Sequence, residues 1–276
     1  LARSSVPLLA KLKDISNPNT QRNLLAASIV ALDMLKSEKK KIPYVAQIAV
    51  LNKLKLEEAR SGVMSEKQLK KYIDWKSIVK LRRLLSRIVR LGRYYTRKPS
   101  KSEFQTIQQN LVLHLYTQLP PVRNDYATVR FLTEKEWDDL SNTEKETTNN
   151  LVTARGGYRI YWADYKTRKK HGVVMQIIPK QLQVVLKKHI VFLRKHFSGN
   201  HLLLSVTGGQ MTRNSLTKFL QRLFYKHFRK KISTSALRSI FLTHKFSKKD
   251  LEEQRDVAAA MHHTPAVARD FYVKNK

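Results

Sequence analysis

Apolar positions recur every three or four residues along most of this chain, and in one central stretch they give way to alternation. The first block follows Asn17-Pro18-Asn19-Thr20, a turn that also supplies a helix start. Leu24, Leu25, Ile29, Leu32 and Leu35 then fall on one helical face. The basic run 36–41, with Glu38 its one acid, and Pro43 after it predict a break. A second apolar stretch, 45–56, ends at Ser61-Gly62, and Ser65 is placed to cap the segment after it. The strongest helical pattern spans 75–95. There Ile78, Leu81, Leu85, Ile88 and Val89 form a stripe, while Lys80, Arg82, Arg83, Arg87, Arg90 and Arg93 occupy much of the rest.

Another helix is expected over 102–118, stopped by Pro120-Pro121, and the polar, partly acidic 141–150 reads as an exposed loop. The period then changes. Residues 158–162 and 173–178 are rich in β-branched and aromatic side chains and flank the basic segment 166–172, which predicts a β-hairpin with a basic tip. Helices follow at 180–197, 213–229, 234–246 and 250–261, with Gly208-Gly209 turning the chain before the second of them. The sum is a mainly α protein with a small antiparallel sheet (α+β): a helical piece over 1–65 and a larger body over 66–276.

Charge sharpens this picture. The chain holds 54 Lys and Arg against 21 Asp and Glu, a formal +33. The basic residues are spread through the apolar-periodic segments rather than gathered in a tail. Such an excess repels itself in a compact state unless a polyanion neutralises it, so a large nucleic-acid-binding surface is expected. A ribosome-like structural protein or a merely solvated basic surface would also explain the charge. With no cysteine, disulfides, a thiol nucleophile and cysteine-ligated zinc are excluded. No secretory signal or membrane-length apolar run is present, and a soluble protein of a reducing compartment fits best. The sequence opens abruptly at Leu1, as a fragment of a longer protein would.

Candidate chemistry lies in four places. Arg123 follows the Pro-Pro turn in Pro121-Val122-Arg123-Asn124-Asp125-Tyr126. Lys166 sits at the expected hairpin tip, and residues 232–244 read ISTSALRSIFLTH, with Arg238 inside a helical pattern. Near the end, His262-His263-Thr264 precedes Phe271-Tyr272. Together these segments resemble the tyrosine recombinase (phage integrase) family. Its second box has the form I-S-x-H-x-L-R-H-x-F-x-T-H. Its third has G-H-[ST] with a tyrosine nine positions after the histidine, the spacing from His263 to Tyr272. The order Arg, Lys, Arg, His, Tyr agrees as well. The resemblance covers roughly 66–276, while the first segment is only loosely like the family's core-binding domain.

The resemblance implies a recombinase or integrase that works on double-stranded DNA as a homotetramer, without metal, ATP or other cofactor. Tyr272 would attack the scissile phosphate and leave a 3′-phosphotyrosine. Arg123 and Arg238 would clamp the phosphate oxygens, with His263 and Ser235 adding donors, and Lys166 would protonate the leaving oxygen. Lys169 is the alternative to Lys166, and His262 to His263. Arg168, Lys169, Lys170, Arg213, Lys218, Arg222 and Arg87 are candidate DNA-backbone contacts, each of which could equally be solvated charge.

Two positions depart from the pattern: Ser235 and Ser239 stand where the family usually has histidines. A hydroxyl can still donate one hydrogen bond, so slower but retained chemistry is expected. Asp125 also lies two places after its arginine, where an acid three places on is usual. A type IB topoisomerase-like DNA relaxation and a decayed, purely DNA-binding relative are the alternative readings. The 121–126 segment and the serine in the second box are similar to eukaryotic mobile-element and large-DNA-virus members, which implies a nucleus or viral factory rather than secretion.

Overall fold

A computed structural model describes residues 6–61, 63–246 and 257–261. The chain divides into two compact units, Leu1–Val63 and Met64–Lys276. The first consists of helices α1 (Val6–Lys13), α2 (Pro18–Met34) and α3 (Glu38–Arg60). Asn17 caps α2 by accepting from the Asn19 and Thr20 amides, and Pro18 follows at the first helical position, where no donor is needed. Leu12, Leu25, Leu32 and Tyr44 form the core, with Ile29 against them. Leu24 and Leu35, expected on the same face, are exposed. Leu24 is rotated about 100° from Leu25, and Leu35 lies past the last helical turn. Pro43 does not break the chain but sits inside α3. The break falls at Lys36, which adopts a positive φ of 51°. So close to the helix start a proline forfeits few backbone hydrogen bonds.

In the second unit Ser65 and Gln68 form a capping box that starts α4 (Glu66–Leu69). Helix α5 (Trp75–Leu91) buries Trp75, Ile78, Leu81, Leu85 and Val89, while Ile88, expected in the same stripe, is exposed. Each buried side chain of the stripe contributes about 2 kcal/mol. Arg83, Arg87 and Arg90 face outward, and the half-buried Arg82 donates to the Thr117 hydroxyl at 3.0 Å. Helix α6 (Lys101–Gln118) opens with a Ser100–Glu103 capping box and is buried on every side from Ile107 to Tyr116. That burial includes Gln108, whose amide accepts from the Leu204 N–H at 2.8 Å and donates to its carbonyl at 3.0 Å. A buried carboxamide is tolerated here because both its ends are satisfied.

Strands β1 (Arg130–Thr133), β2 (Asn150–Ala154), β3 (Gly157–Trp162) and β4 (Val174–Ile177) form one sheet in the order β1-β2-β3-β4. The expected pair is present: β3 and β4 are antiparallel, as are β2 and β3. β1 joins β2 in parallel, so the sheet is mixed. The crossover carries α7 (Glu134–Asp138) and α8 (Asn142–Thr147). Residues 141–150 are therefore not an exposed loop. Ser141 and Glu144 make a capping box for α8, and Asn149 and Asn150 are fully buried. The connection from β3 to β4 holds a single turn, α9 (Arg168–His171). Then come α10 (Lys180–His196), α11 (Arg213–Phe228) and α12 (Thr234–Phe246), with residues 257–260 helical. No helix among the described residues is long and apolar enough to cross a membrane.

Candidate functional site

β1 and β2 begin, and β3 finishes, at the same end of the sheet, and three chain segments that carry candidate chemistry meet there. The first is the 3-10 turn Asn124–Thr128, which Arg123 precedes. Val122, Tyr126 and Ala127 are buried and fix this turn against the core. The Tyr116 hydroxyl of α6 donates to the Arg123 carbonyl at 2.6 Å. Tyr126 meets Tyr116 edge-on at 5.1 Å between centroids and Trp162 at 5.2 Å, an arrangement that suits the ring quadrupoles. Asn124 donates to the Thr217 hydroxyl at 2.8 Å, which ties the turn to α11. The Arg123 side chain is left half-exposed.

Asp125, on that turn, is 4 % exposed and forms the electrostatic centre of the site. Burial pushes its carboxyl above the ordinary range, and the nearby guanidiniums of Arg213, Arg123 and Arg238 pull it back. Arg213 reaches Asp125 at 3.5 Å and the Asp164 carboxylate at 2.9 Å, and also donates to the Asp164 carbonyl at 2.7 Å. Arg213, a candidate backbone contact from the sequence, thus bridges two acids. Arg238 projects from α12 and is 1 % exposed. Its charge is felt at both Asp125 and Tyr116. Arg123 and Arg238, far apart in sequence, therefore act on one carboxylate. Ser235 is exposed one turn earlier on α12.

Lys166 is exposed two residues beyond Asp164, in the β3–β4 connection. The connection is closed by the Tyr165 hydroxyl donating to the Gly172 carbonyl at 2.7 Å, with Gly172 at a positive φ of 68°. Lys169 and Lys170 are also exposed there, whereas Arg168 pairs with Glu146 at 3.2 Å. Lys218 and Arg222 are exposed on α11, and Arg87 is exposed on α5, which carries none of the other candidates. His262, His263 and Tyr272 lie outside the described residues. Among the described residues no group of three or more His, Asp or Glu could hold a metal ion.

Sequence patterns gave no hint of Asn149, which joins the segments. Its amide nitrogen donates to the Asp164 carbonyl at 2.9 Å, the Thr128 hydroxyl at 3.2 Å and the Asp125 carbonyl at 3.4 Å. Its oxygen accepts from the Ala163 and Asp164 amides, both at 2.9 Å. One buried side chain thereby fastens the turn that follows Arg123 to the strand end that leads to Lys166.

No family profile matches this chain, and no curated protein does. Two solved structures are similar at low level. One is the crystal structure of XerA recombinase: 14% identity, 62% of this chain and 53% of that one, TM-score 0.41. The chain thus spans about half the length of that protein. The other is the XerH site-specific recombinase bound to difH substrate in a pre-cleavage complex, with 14% identity, 93% of this chain, 67% of that one and a TM-score of 0.40.

Proposed function

We propose that this chain cuts and rejoins double-stranded DNA by the tyrosine recombinase reaction. The observation that carries the reading is that Arg123 and Arg238, far apart in sequence, both act electrostatically on the buried Asp125 carboxylate, whose turn Asn149 fastens to the connection that bears Lys166. Two planar guanidiniums held together suit a phosphodiester, because each can donate two hydrogen bonds to its oxygens. Asp125 is itself paired with Arg213 at 3.5 Å, which fixes the carboxylate that both arginines act on.

In this scheme the Tyr272 hydroxyl releases its proton to solvent as its oxygen attacks phosphorus and the bond to the 5′ oxygen breaks. Lys166 supplies the proton to that oxygen, and His263 and Ser235 add donors to the phosphate. The product is a 3′-phosphotyrosine and a free 5′-hydroxyl. A 5′-hydroxyl from another strand reverses the step, so the bond is conserved and no ATP is consumed. Removing one arginine from such a clamp costs about 10²–10³ in rate. Because Arg238 is 1 % exposed, phosphate reaches its guanidinium only once the elements over it move. Ordering of the site on DNA is then part of the reaction. Strand exchange between two duplexes implies four protomers.

The test uses nicked suicide duplexes carrying candidate sites, with the parent protein and Tyr272→Phe compared on denaturing gels. A covalent protein–DNA band that requires Tyr272 is the expected result. DNA binding with no adduct on any substrate would leave a DNA-binding protein without this chemistry. Plasmid relaxation with no need for a partner site would indicate the topoisomerase variant of the same chemistry.

A further inference from the structure

We propose that a cavity at the start of α12, the helix that carries Arg238, is a second phosphate site, which holds a backbone phosphate of the bound strand other than the one that is cut. The proposal rests on the reading of the chain as a DNA-cleaving enzyme. The cavity has a volume of about 300 Å³ and lies between the segment around α4 and the start of α12. That is room for a phosphate and its sugar, at the small end of ligand pockets.

Two walls of opposite character face each other across it. On one side stand Lys67 and Lys71. The hydrogen bonds from Lys70 to Glu66 and from Lys71 to Gln68 continue the helical path beyond α4, so these lysines share one face, four residues apart. On the other side Ser235 and Ser239 repeat the same spacing on α12, with Ser233 just before the helix. The Lys230 ammonium donates to the Tyr72 carbonyl at 2.7 Å and ties the two walls together.

No carboxylate lines the cavity. Two ammoniums at this spacing repel each other, and nothing within the cavity offsets them. An anion would, and the serine hydroxyls opposite would donate to its oxygens. Ser235 and Ser239 lie within one turn of Arg238 on α12, so one helix carries both the cavity wall and the buried arginine. The lysines are exposed and can follow the strand without disturbing the core.

Duplex DNA affinity of the full chain, measured across a salt series, tests this. In Lys67→Ala/Lys71→Ala the slope of log K against log salt should shrink by about 1 for each lysine that meets a phosphate. The Lys67→Arg/Lys71→Arg protein should keep the parent slope. Ser239→Asp, which puts an anion into the cavity, should weaken binding severalfold even with both lysines present. A parent-like slope in the alanine pair overturns the proposal, and so does parent-like affinity in Ser239→Asp, since the lysines would then act from outside the cavity. Adduct formation is scored separately. A changed slope without a Tyr272 adduct from the parent protein sinks the reaction and leaves the phosphate site standing. A normal adduct with an unchanged slope does the reverse.

Discussion

Asn149→Ala should cost more stability than any other single truncation of a polar side chain at the site. The side chain is fully buried and takes part in five hydrogen bonds. Truncation leaves the Ala163 and Asp164 amides without acceptors, in a place where Ala163 is itself fully buried. An orphaned buried donor costs about 1–3 kcal/mol, and two of them, with the carbonyls left facing a void, give a loss of about 3–5 kcal/mol. Urea unfolding followed by far-UV circular dichroism, with tryptophan fluorescence as a second probe, measures it. Asn149→Asp makes the reasoning sharper. It keeps an oxygen for the two amides but turns the second oxygen toward the carbonyls of Asp125 and Asp164, which can only accept. Burial raises the folded-state pKa of that new carboxyl, so the folded state binds the proton first, and the variant should regain stability as pH falls from 7 toward 5. A loss below 1 kcal/mol in the alanine variant would refute this account, as would an aspartate variant whose deficit ignores pH.

His189 gives a second pH dependence, of opposite sign. Burial lowers its pKa to about 4, and its Nε2 faces the Leu202 carbonyl at 3.1 Å. Its contribution is complete above the unfolded value of about 6.5 and is lost as pH falls toward 4, at most about 3 kcal/mol. Urea midpoints at pH 7.5 and 4.5 should diverge in the parent protein and converge partway in His189→Gln. Arg123→Ala should lower adduct formation at least a hundredfold while duplex affinity changes only a few-fold, as read by single-turnover cleavage beside a binding titration. Arg213→Ala should lower the melting temperature yet leave the salt slope of DNA binding unchanged, since Arg213 is engaged with Asp125 and Asp164. Ser100→Ala removes the α6 cap and should cost about 1 kcal/mol in the same unfolding assay.

The long helices were legible because a buried stripe at 3.6-residue spacing leaves its mark on sequence. Helix α5 is the clearest case: Ile78, Leu81, Leu85 and Val89 of the expected stripe are buried and Arg83, Arg87 and Arg90 face outward, although Ile88 is exposed and Arg82 is half-buried against Thr117. The β3–β4 pair was legible from its aromatic and β-branched content. β1 and β2 were missed because they begin with the polar Arg130 and Asn150 and lack the paired aromatic and β-branched runs that marked β3 and β4. Polar composition made 141–150 read as a loop, although capping chemistry and a buried asparagine pair produce a helix and a strand start. Arg123, Arg238 and Lys166 were singled out as candidates through spacing and order. Asn149, Asp164, Lys67 and Lys71 were not, because their partners come together only through long-range folding.

Asn149 stands immediately before β2, whose register is set on one side by β1 and on the other by the two-residue turn Arg155-Gly156 into β3. A slip of one residue would swing its amide to the opposite face of the sheet. Strand register and the geometry of the candidate site are thus a single degree of freedom, with consequences for how such a chain can diverge. Insertions and deletions can accumulate in the α7–α8 crossover, where length is absorbed before the strand begins. Between Asn149 and Asp164 the residue count itself is under constraint, and drift there must proceed by substitution.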